Sequence, residues 1–431
     1  MLFITLIVVG ILLSGYLLMS TNQINHINRA AVAMISGVAV WVVLQFADST
    51  HLKSAALTPY LLEAVQVILF LIASSTIVET MNNNGVFDEL HLWMRTKNSK
   101  ALLWDLSLLT FIISANVDNL TTVVLMLVIM NQIVRSAYQK RIYACSIFIS
   151  AMLGGSFTVI GDMTSMMLWV HGVVTPTAFS LGLALPVLTS LVVFNLLMQK
   201  FLVGRVEVVS AMDAGNYKDS FLAPWQKILL LIVGLGGLWS VPTFAKLTHL
   251  PPFLGALSIL AVVWVIDGIY NYRRNGRMFF KQKKSNTEFI GMRLILYFLG
   301  ITIGVGALVE CGALDFVGHW LSANIHNVYI YGGVIGVFSS VIDNIPFVMV
   351  GLLLFPVEAA GSLTEMAVDG SYWQLLSFCS ALGGSLFFIG TLSGHTAAES
   401  ENIPLSWYVT HISWRVLIAW AAGLLVFFLT H

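Results

Sequence analysis

The sequence predicts an all-α polytopic membrane protein with inverted repeats, two re-entrant hairpins and two interrupted transmembrane helices. Three observations predict it. Of 431 residues, 58% are hydrophobic and only 10% charged, whereas a soluble domain carries roughly 25% charged residues. The apolar runs are continuous and approach the ~20 residues a crossing helix needs, instead of alternating in short strands as a barrel would. Short polar motifs also recur, in the same order, inside apolar sequence of both halves.

Taken in order, residues 1–57 form N-terminal transmembrane helices, with apolar runs at 1–19 and 29–46. "MLFITLIVVG" has no basic n-region and no small-residue cleavage site follows, so it reads as a span and not a signal peptide. Residues 58–205 form a first transport repeat, opening with the run 60–80, passing through a hairpin at 102–133 and ending with 179–203. Residues 206–286 supply two connecting spans, 226–245 and 251–270, and the basic loop "YRRNGRMFFKQKK". Residues 287–431 form a second transport repeat that begins with 290–310, and "PLSWYVTHIS" reads as a short interfacial helix before the final span. Tryptophans such as Trp169, Trp239, Trp320, Trp407 and Trp414 fall near span ends, where indoles anchor at the interface.

The chain holds 21 Lys and Arg. Short cytoplasmic loops hold the excess of such residues. Placing the basic loop inside puts Arg29, Arg95, Lys97, Lys100, Arg135, Lys140, Arg141, Lys200, Arg205, Lys218 and Lys227 on the same side, leaving Lys53 and Lys246 outside. The expectation is ten crossings plus two hairpins, both termini outside, in a bacterial inner membrane. Cys145, Cys311 and Cys379 are too few and too far apart for a disulfide framework or zinc site. Zero formal charge without a basic stripe gives no nucleic-acid partner. No phosphate-binding loop or nucleotide fingerprint is present, so no cofactor is expected and the energy source is an ion gradient.

"SANVDN" at 114–119 returns as "SSVIDN" at 339–344, "GGSFTVIGD" at 154–162 returns as "GGSLFFIGT" at 383–391, and "GVFDELHLWM" at 85–94 echoes "GALDFVGHWL" at 312–321. By the charge count the first hairpin enters from inside and the second from outside, so the repeats are inverted. Inverted repeats with broken helices mark a secondary transporter whose site lies where the interruptions meet. Asn and Asp turn the chain, and non-helical backbone at membrane depth survives only against protein or a cavity. Gly154, Gly155 and Gly161, matched by Gly383, Gly384 and Gly390, break the following spans, and Pro346 removes a helical donor in the second copy.

The stretches "GVFDEL", "ISANVDNLTTVVLM", "GGSFTVIGDMTSMMLW", "SSVIDNIPFVMVG" and "GGSLFFIG" together resemble the NhaD-type sodium/proton antiporters of the ion transporter superfamily. The resemblance implies a dimer-forming fold with two re-entrant hairpins and two unwound helices. It also implies exchange of cytoplasmic Na+ or Li+ for external protons. In "GTLSGHTAAE" the chain departs from the pattern, with His395 where a small residue is expected.

An ionised carboxylate in a membrane interior costs roughly 2.5–3.5 kcal/mol on insertion scales and by default marks a functional site. Asp118 and Asp343 hold equivalent hairpin positions, and Asp162 follows the first glycine break. Sodium prefers hard oxygen ligands. One half offers Ser114, Asn116, Asn119, Thr121, Thr122, Ser156, Thr158 and Thr164, and the other Ser339, Ser340, Asn344, Ser385, Thr391 and Ser393. Na+ is expected at Asp118 and Asp343, with Asp162 as a third carboxylate, each taking Na+ or H+ but not both, because burial favours the protonated form and a bound cation the ionised one. Glu79, Glu310 and His395 are candidates for gating or proton sensing, and His171 and His411 titrate in the right range. Asp105 and Asp267 lie deep in apolar sequence.

Two other readings fit part of this pattern. An importer of an anion such as arsenite or a dicarboxylate, from the same superfamily, would favour helix N-termini and amides. Three aspartates with no Lys or Arg at comparable depth speak against it. An intramembrane aspartyl protease also needs two aspartates, but its motif wants a glycine two before Gly161, where "VIGD" has Val159.

Overall fold

The computed structural model describes residues 2–20, 27–47, 53–87, 94, 98–202, 204–206, 222–275, 286–324, 327–355 and 365–431. The basic loop beyond Asn275, Arg95, Lys97, Lys218 and the middle of the 85–94 stretch lie outside the described residues.

Two apolar helices, α1 (Leu2–Ser20) and α2 (Arg29–Ala47), precede the long α3 (Lys53–Asn83). The shorter α4 (Ser99–Ser114) and α5 (Asn119–Ile133) follow, then α6 (Ala137–Phe157), the brief α7 (Met163–Val170) and α8 (Pro176–Met198). Next come α9 (Pro224–Thr248, with a π turn at Ile232–Gly236) and α10 (Pro252–Asn275). The second half holds α11 (Asn286–Glu310), α12 (Ala313–Asn324), α13 (Val328–Ser339), α14 (Asn344–Leu354), α15 (Ser371–Gly384), α16 (Leu392–Ser400) and α17 (Leu405–Thr430). Among the described residues there is no strand, only one isolated bridge between Asn98 and Arg205.

Eight of these helices are long and apolar enough to cross a membrane: α1, α2, α3, α8, α9, α10, α11 and α17. The protein is an all-α, multi-pass membrane protein. The expectation of ten crossings would assign the other two to α6–α7 and α15–α16, each an interrupted helix. The outer helices present bare apolar side chains, with Phe46 89% and Leu181 72% exposed, while hydroxyls such as Ser114 and Thr164 are fully buried. That is the polarity a lipid solvent imposes, since an unsatisfied polar group cannot face hydrocarbon.

Small residues let the backbones close up, as they do in membrane bundles. A Cβ on Gly37 of α2 would lie 2.6 Å from the Gly300 carbonyl oxygen of α11. A Cβ on Gly154 of α6 would lie 2.4 Å from the Phe111 oxygen of α4, and one on Gly383 of α15 would lie 2.1 Å from the Gly336 oxygen of α13. Phe111 and Gly336 hold equivalent places in the two similar stretches. Beyond these pairs, α5 packs on α16 and α14 on α7, so each short-helix pair touches the broken helix of the other half.

Two local expectations are corrected. Pro346 falls in the first turn of α14, where a backbone N–H has no intrahelical acceptor, so it starts a helix and breaks none. "PLSWYVTHIS" forms no separate interfacial helix: a π turn at Val409–Ser413 carries it directly into α17. Its inner face is held by Tyr408, whose hydroxyl donates to the Ser385 carbonyl at 2.7 Å, and by Ser413, which donates to Leu386.

Candidate cation site

α4 and α5 are joined by residues 115–118, where the Asn116 and Val117 amides both donate to the Ile113 carbonyl at 3.0 Å. The turn leaves Asp118 at the N-cap of α5, its Oδ2 accepting the Thr121 amide at 2.9 Å. Asp343 stands at the same point before α14. The backbone angles agree: φ −53° and ψ 147° at Asp118, φ −47° and ψ 150° at Asp343. The helix breaks match as well, with φ −141° and ψ 157° at Asp162, the N-cap of α7, and φ −137° and ψ 149° at Thr391, the N-cap of α16.

Asp162 ties these pieces together. Its Oδ1 accepts from Asn119 Nδ2 at 3.0 Å, and its Oδ2 from Asn344 Nδ2 at 3.3 Å and from the Thr164 hydroxyl at 2.5 Å. Asn119 is itself oriented by Ser114, whose Oγ donates to Asn119 Oδ1 and approaches the Ala151 carbonyl, both at 2.8 Å. In the other half Ser339 donates to the Ser380 carbonyl at 2.9 Å, and the Tyr297 hydroxyl bonds the Asp343 carboxylate. Thr391 caps α16 by accepting the Gly394 amide at 3.1 Å.

These residues surround one small cavity. It is lined by Asp118, Asn119, Asp162, Asp343, Asn344, Thr391 and Ser393, together with the apolar Met152, Met163 and Leu294, and has a volume of about 30 Å³. That suits a monovalent cation with a water or two, given that one water needs roughly 10–15 Å³ on this measure. Four helix N-termini face it, those of α5, α7, α14 and α16, and three of them have an aspartate at the N-cap position. Helix N-termini favour negative charge. Here that charge is built in, which leaves room for a positive guest.

Several expected ligands serve the backbone and not the cavity. Asn116 Nδ2 donates to Ile112, Ser156 to Leu153, Thr158 to Ala115, Ser340 to Val337 and Ser385 to Ala381, while Thr122 approaches Val117 at 3.5 Å. Thr121 differs from these, since both its amide and its hydroxyl bond the Asp118 carboxylate. Glu79 and Glu310 do not line the cavity, and Glu310 accepts from the Tyr60 hydroxyl at 3.3 Å. His395 lies beside the cavity without lining it. His171 pairs with Glu63 at 3.2 Å, and His411 stacks on Trp407 with centroids 4.9 Å apart. Asp105 is exposed on α4, and Asp267 accepts from Asn84 at 2.7 Å.

The expectation that no Lys or Arg reaches the depth of the aspartates is overturned. Arg29, which the sequence offers as a cytoplasmic topology marker, is only 6% exposed, and its guanidinium donates at 3.0 Å to the Ile389 carbonyl in the break between α15 and α16. Sequence reasoning also missed Met152, whose sulfur accepts from Asn119 and Ser393 at 3.5 Å, and Tyr297. The one available signal was a hydroxyl or guanidinium embedded in an apolar run.

Residues 4–383 match the profile of the citrate transporter family, CitMHS. The chain belongs to that family. Sodium/proton antiporter 1 of Arabidopsis thaliana is 31% identical over 405 residues, covering 94% of this chain and 69% of its own. Sodium/proton antiporter 2 of the same plant is 29% identical over 422 residues, 97% of either chain. The Na+/H+ antiporter NhaD of Vibrio cholerae is 25% identical over 437 residues, covering 94% of this chain and 87% of its own. Within the citrate transporter family the chain therefore groups with the NhaD type, and it is a secondary transporter, not an enzyme.

Proposed function

We propose that this transporter exchanges Na+ or Li+ for H+, taking cation and proton in turn on the cavity carboxylates Asp118, Asp162 and Asp343. The observation that carries the reading is the convergence of three buried carboxylates and two carboxamides on one ion-sized cavity. Bare charges there would be costly. A proton or a desolvated Na+ each relieves that cost, and the two compete for the same oxygen pair. Competition for the same carboxylates then links inward movement of one species to outward movement of the other. The names of the three relatives given above, each a sodium/proton antiporter, support the same assignment.

In this reading α4–α5 and α13–α14 are re-entrant hairpins and the halves 58–205 and 287–431 are inverted repeats. The hairpin helices are 16, 15, 12 and 11 residues long, which at 1.5 Å per residue falls short of a ~30 Å hydrocarbon core. The paired backbone angles and paired glycine contacts support the duplication.

A second reading is favoured by Arg29 and by the family's title: import of a carboxylate anion. Three cavity carboxylates against one guanidinium weigh against it. The deciding experiment is proton movement in everted or reconstituted vesicles, followed by dequenching of a ΔpH dye on adding Na+, Li+, K+ or citrate. Na+- or Li+-dependent dequenching lost in Asp118→Asn and Asp162→Asn supports antiport; citrate uptake without a cation response overturns it.

A further inference from the structure

The cavity lies on a seam between the two halves of the chain, and the contacts that cross the seam at its level are long. Asn344 of the second half reaches Asp162 of the first at 3.3 Å, and Ser393 approaches the Met152 sulfur at 3.5 Å. Neither is a strong bond.

Firmer bonds stand farther out, at the ends of the two short helices that begin at the cavity. α7 and α16 are 8 and 9 residues long, so at 1.5 Å per residue their C-termini lie about 12–14 Å beyond their N-caps. Both end alike. After α7 the Gly172 amide donates to Trp169 and the Val173 amide to Leu168; after α16 the Asn402 amide donates to Glu399 and the Ile403 amide to Ala398. The turning residue is left-handed in each, Gly172 at φ +82° and Asn402 at φ +49°.

Each of these matched ends is held by the other half. After α7, the Val173 carbonyl accepts the Asp369 amide at 2.9 Å, while Thr175 donates its amide to Asp369 Oδ1 at 2.5 Å and its hydroxyl to Oδ2 at 2.9 Å. Asp369 itself is left-handed, at φ +66°, a conformation that persists in a non-glycine residue only where the surroundings over-determine it. Here they do: the buried Trp373 indole and the Gly370 amide both donate to the Ala367 carbonyl, at 3.0 and 2.8 Å. One turn on, Gln374 is pressed against α8, where a Cβ on Gly182 would lie 2.1 Å from its Oε1. After α16, Glu401 Oε1 accepts Asn131 Nδ2, from the end of α5, at 2.8 Å, and the Glu401 carbonyl accepts Arg141 Nε of α6 at 3.4 Å. Likeness of backbone alone does not produce this pair of grips, because the side chains that make them differ: in one the carboxylate belongs to the half that grips, in the other to the half that is gripped.

We propose that Asp369 and Glu401 are clips between the halves, which hold the two sets of cavity ligands at a fixed separation throughout exchange, so that the cavity is not opened by parting the halves at these ends. The assignment rests on the antiport reading of the cavity and deepens it. Neither residue lines the cavity. Both are positioning residues, acting through α7 and α16, whose N-caps Asp162 and Thr391 do line it. In the inverted-repeat reading the two clips stand at opposite faces of the membrane, one to each.

The test is made on the full chain in reconstituted vesicles, scored by Na+-dependent ΔpH dequenching. Thr175→Cys/Asp369→Cys removes the first clip when reduced and replaces it with a covalent one when oxidised; wild type treated with the same oxidant controls for Cys145, Cys311 and Cys379. Reduced, the variant should raise the apparent Na+ KM by about threefold or more with a maximal rate within about twofold of wild type, the split expected when binding geometry alone is loosened. Oxidised, it should recover a KM within about twofold of wild type and keep its rate. At the second clip, Glu401→Ala should raise the KM in the same way, whereas Glu401→Gln keeps an acceptor oxygen for Asn131 and should not. Transport lost on oxidation and restored by reduction overturns the proposal, because the halves must then part at this end. A reduced variant with wild-type KM, a cysteine pair that fails to cross-link, or a Glu401→Ala transporter that matches wild type overturns it too. A wild type that moves no protons on Na+ addition would instead overturn the antiport reading.

Discussion

Replacing Gly155 with Ala tests whether Asn119 must hold Asp162 in place. A Cβ at residue 155 would lie 2.1 Å from Asn119 Oδ1 and 2.9 Å from its Cγ and Nδ2. Ordinary contact needs roughly 3.5 Å. The carboxamide must therefore move by about 1.4 Å, which carries Nδ2 from its 3.0 Å contact with Asp162 to a separation where no hydrogen bond survives. A hydrogen bond to a charged group is worth about 1.5–3 kcal/mol, and tenfold in affinity is ~1.4 kcal/mol. The expected result is a rise of about ten- to a hundredfold in the Na+ KM of the vesicle assay. The protein should remain folded, because what must yield is the end of a side chain. Gly154→Ala is the contrasting variant: its Cβ meets the Phe111 backbone at 2.4, 3.1 and 3.1 Å, which cannot yield without shifting α4. That variant should lose stability by the ~1–3 kcal/mol of an overpacked core or more, seen as a lower melting temperature in detergent. A Gly155→Ala transporter with wild-type KM would refute the role given to Asn119.

Further outcomes follow from the same geometry. Asp162→Asn offers one acceptor oxygen to the three donors Asn119, Asn344 and Thr164, strands at least one of them at a cost of about 1–3 kcal/mol, and should abolish cation-dependent dequenching with Na+ and Li+ alike. Raising the pH removes the protons that Na+ must displace, so the apparent Na+ KM should fall by up to about tenfold per pH unit for each proton displaced and flatten once the carboxylates are bare; a KM independent of pH would exclude competition. Thr391→Ala deletes the cap on α16 and should cost about 1 kcal/mol of stability, read by thermal melting, with Thr391→Ser retaining it. His171→Ala breaks a half-exposed pair with Glu63 and should change stability by less than about 1 kcal/mol.

Most of the architecture was legible because lipid enforces it. Long apolar runs have no alternative to helix, and all eight helices long and apolar enough to cross a membrane correspond to runs visible in the sequence. The polar knots were legible for the complementary reason: Asp118 with Asn119, and Asp343 with Asn344, are too costly in apolar sequence to be ornaments, and their duplication at matched spacing singled them out. What the sequence did not distinguish was which hydroxyls face the cavity. Ser156 and Ser385 sit in the glycine motifs beside the breaks, yet each donates to its own preceding turn, a choice fixed by rotamer and not by spacing. Arg29 was hidden by a sound rule. Basic residues at span ends usually mark the cytoplasmic side, and only the packing of α2 against α11 shows that this one turns inward.

The placement of the aspartates at helix N-termini bears directly on why an exchanger would use them. Burial disfavours a bare carboxylate, and a helix N-terminus offsets part of that cost, typically by 0.3–1 kcal/mol and up to ~2 where the geometry is partly buried. The two effects oppose each other, so a helix N-terminus lessens the preference of a buried carboxylate for its protonated form and opens it to a small cation. A carboxylate in the middle of an unbroken helix would lack the offset and hold its proton too firmly; one in open water would hold neither species. In the proposed exchange the breaks before α5, α7 and α14 would therefore do more than admit an ion. In the antiport reading they also tune the affinity of the ligands they create, and the fourth N-terminus, before α16, carries Thr391 in place of a carboxylate.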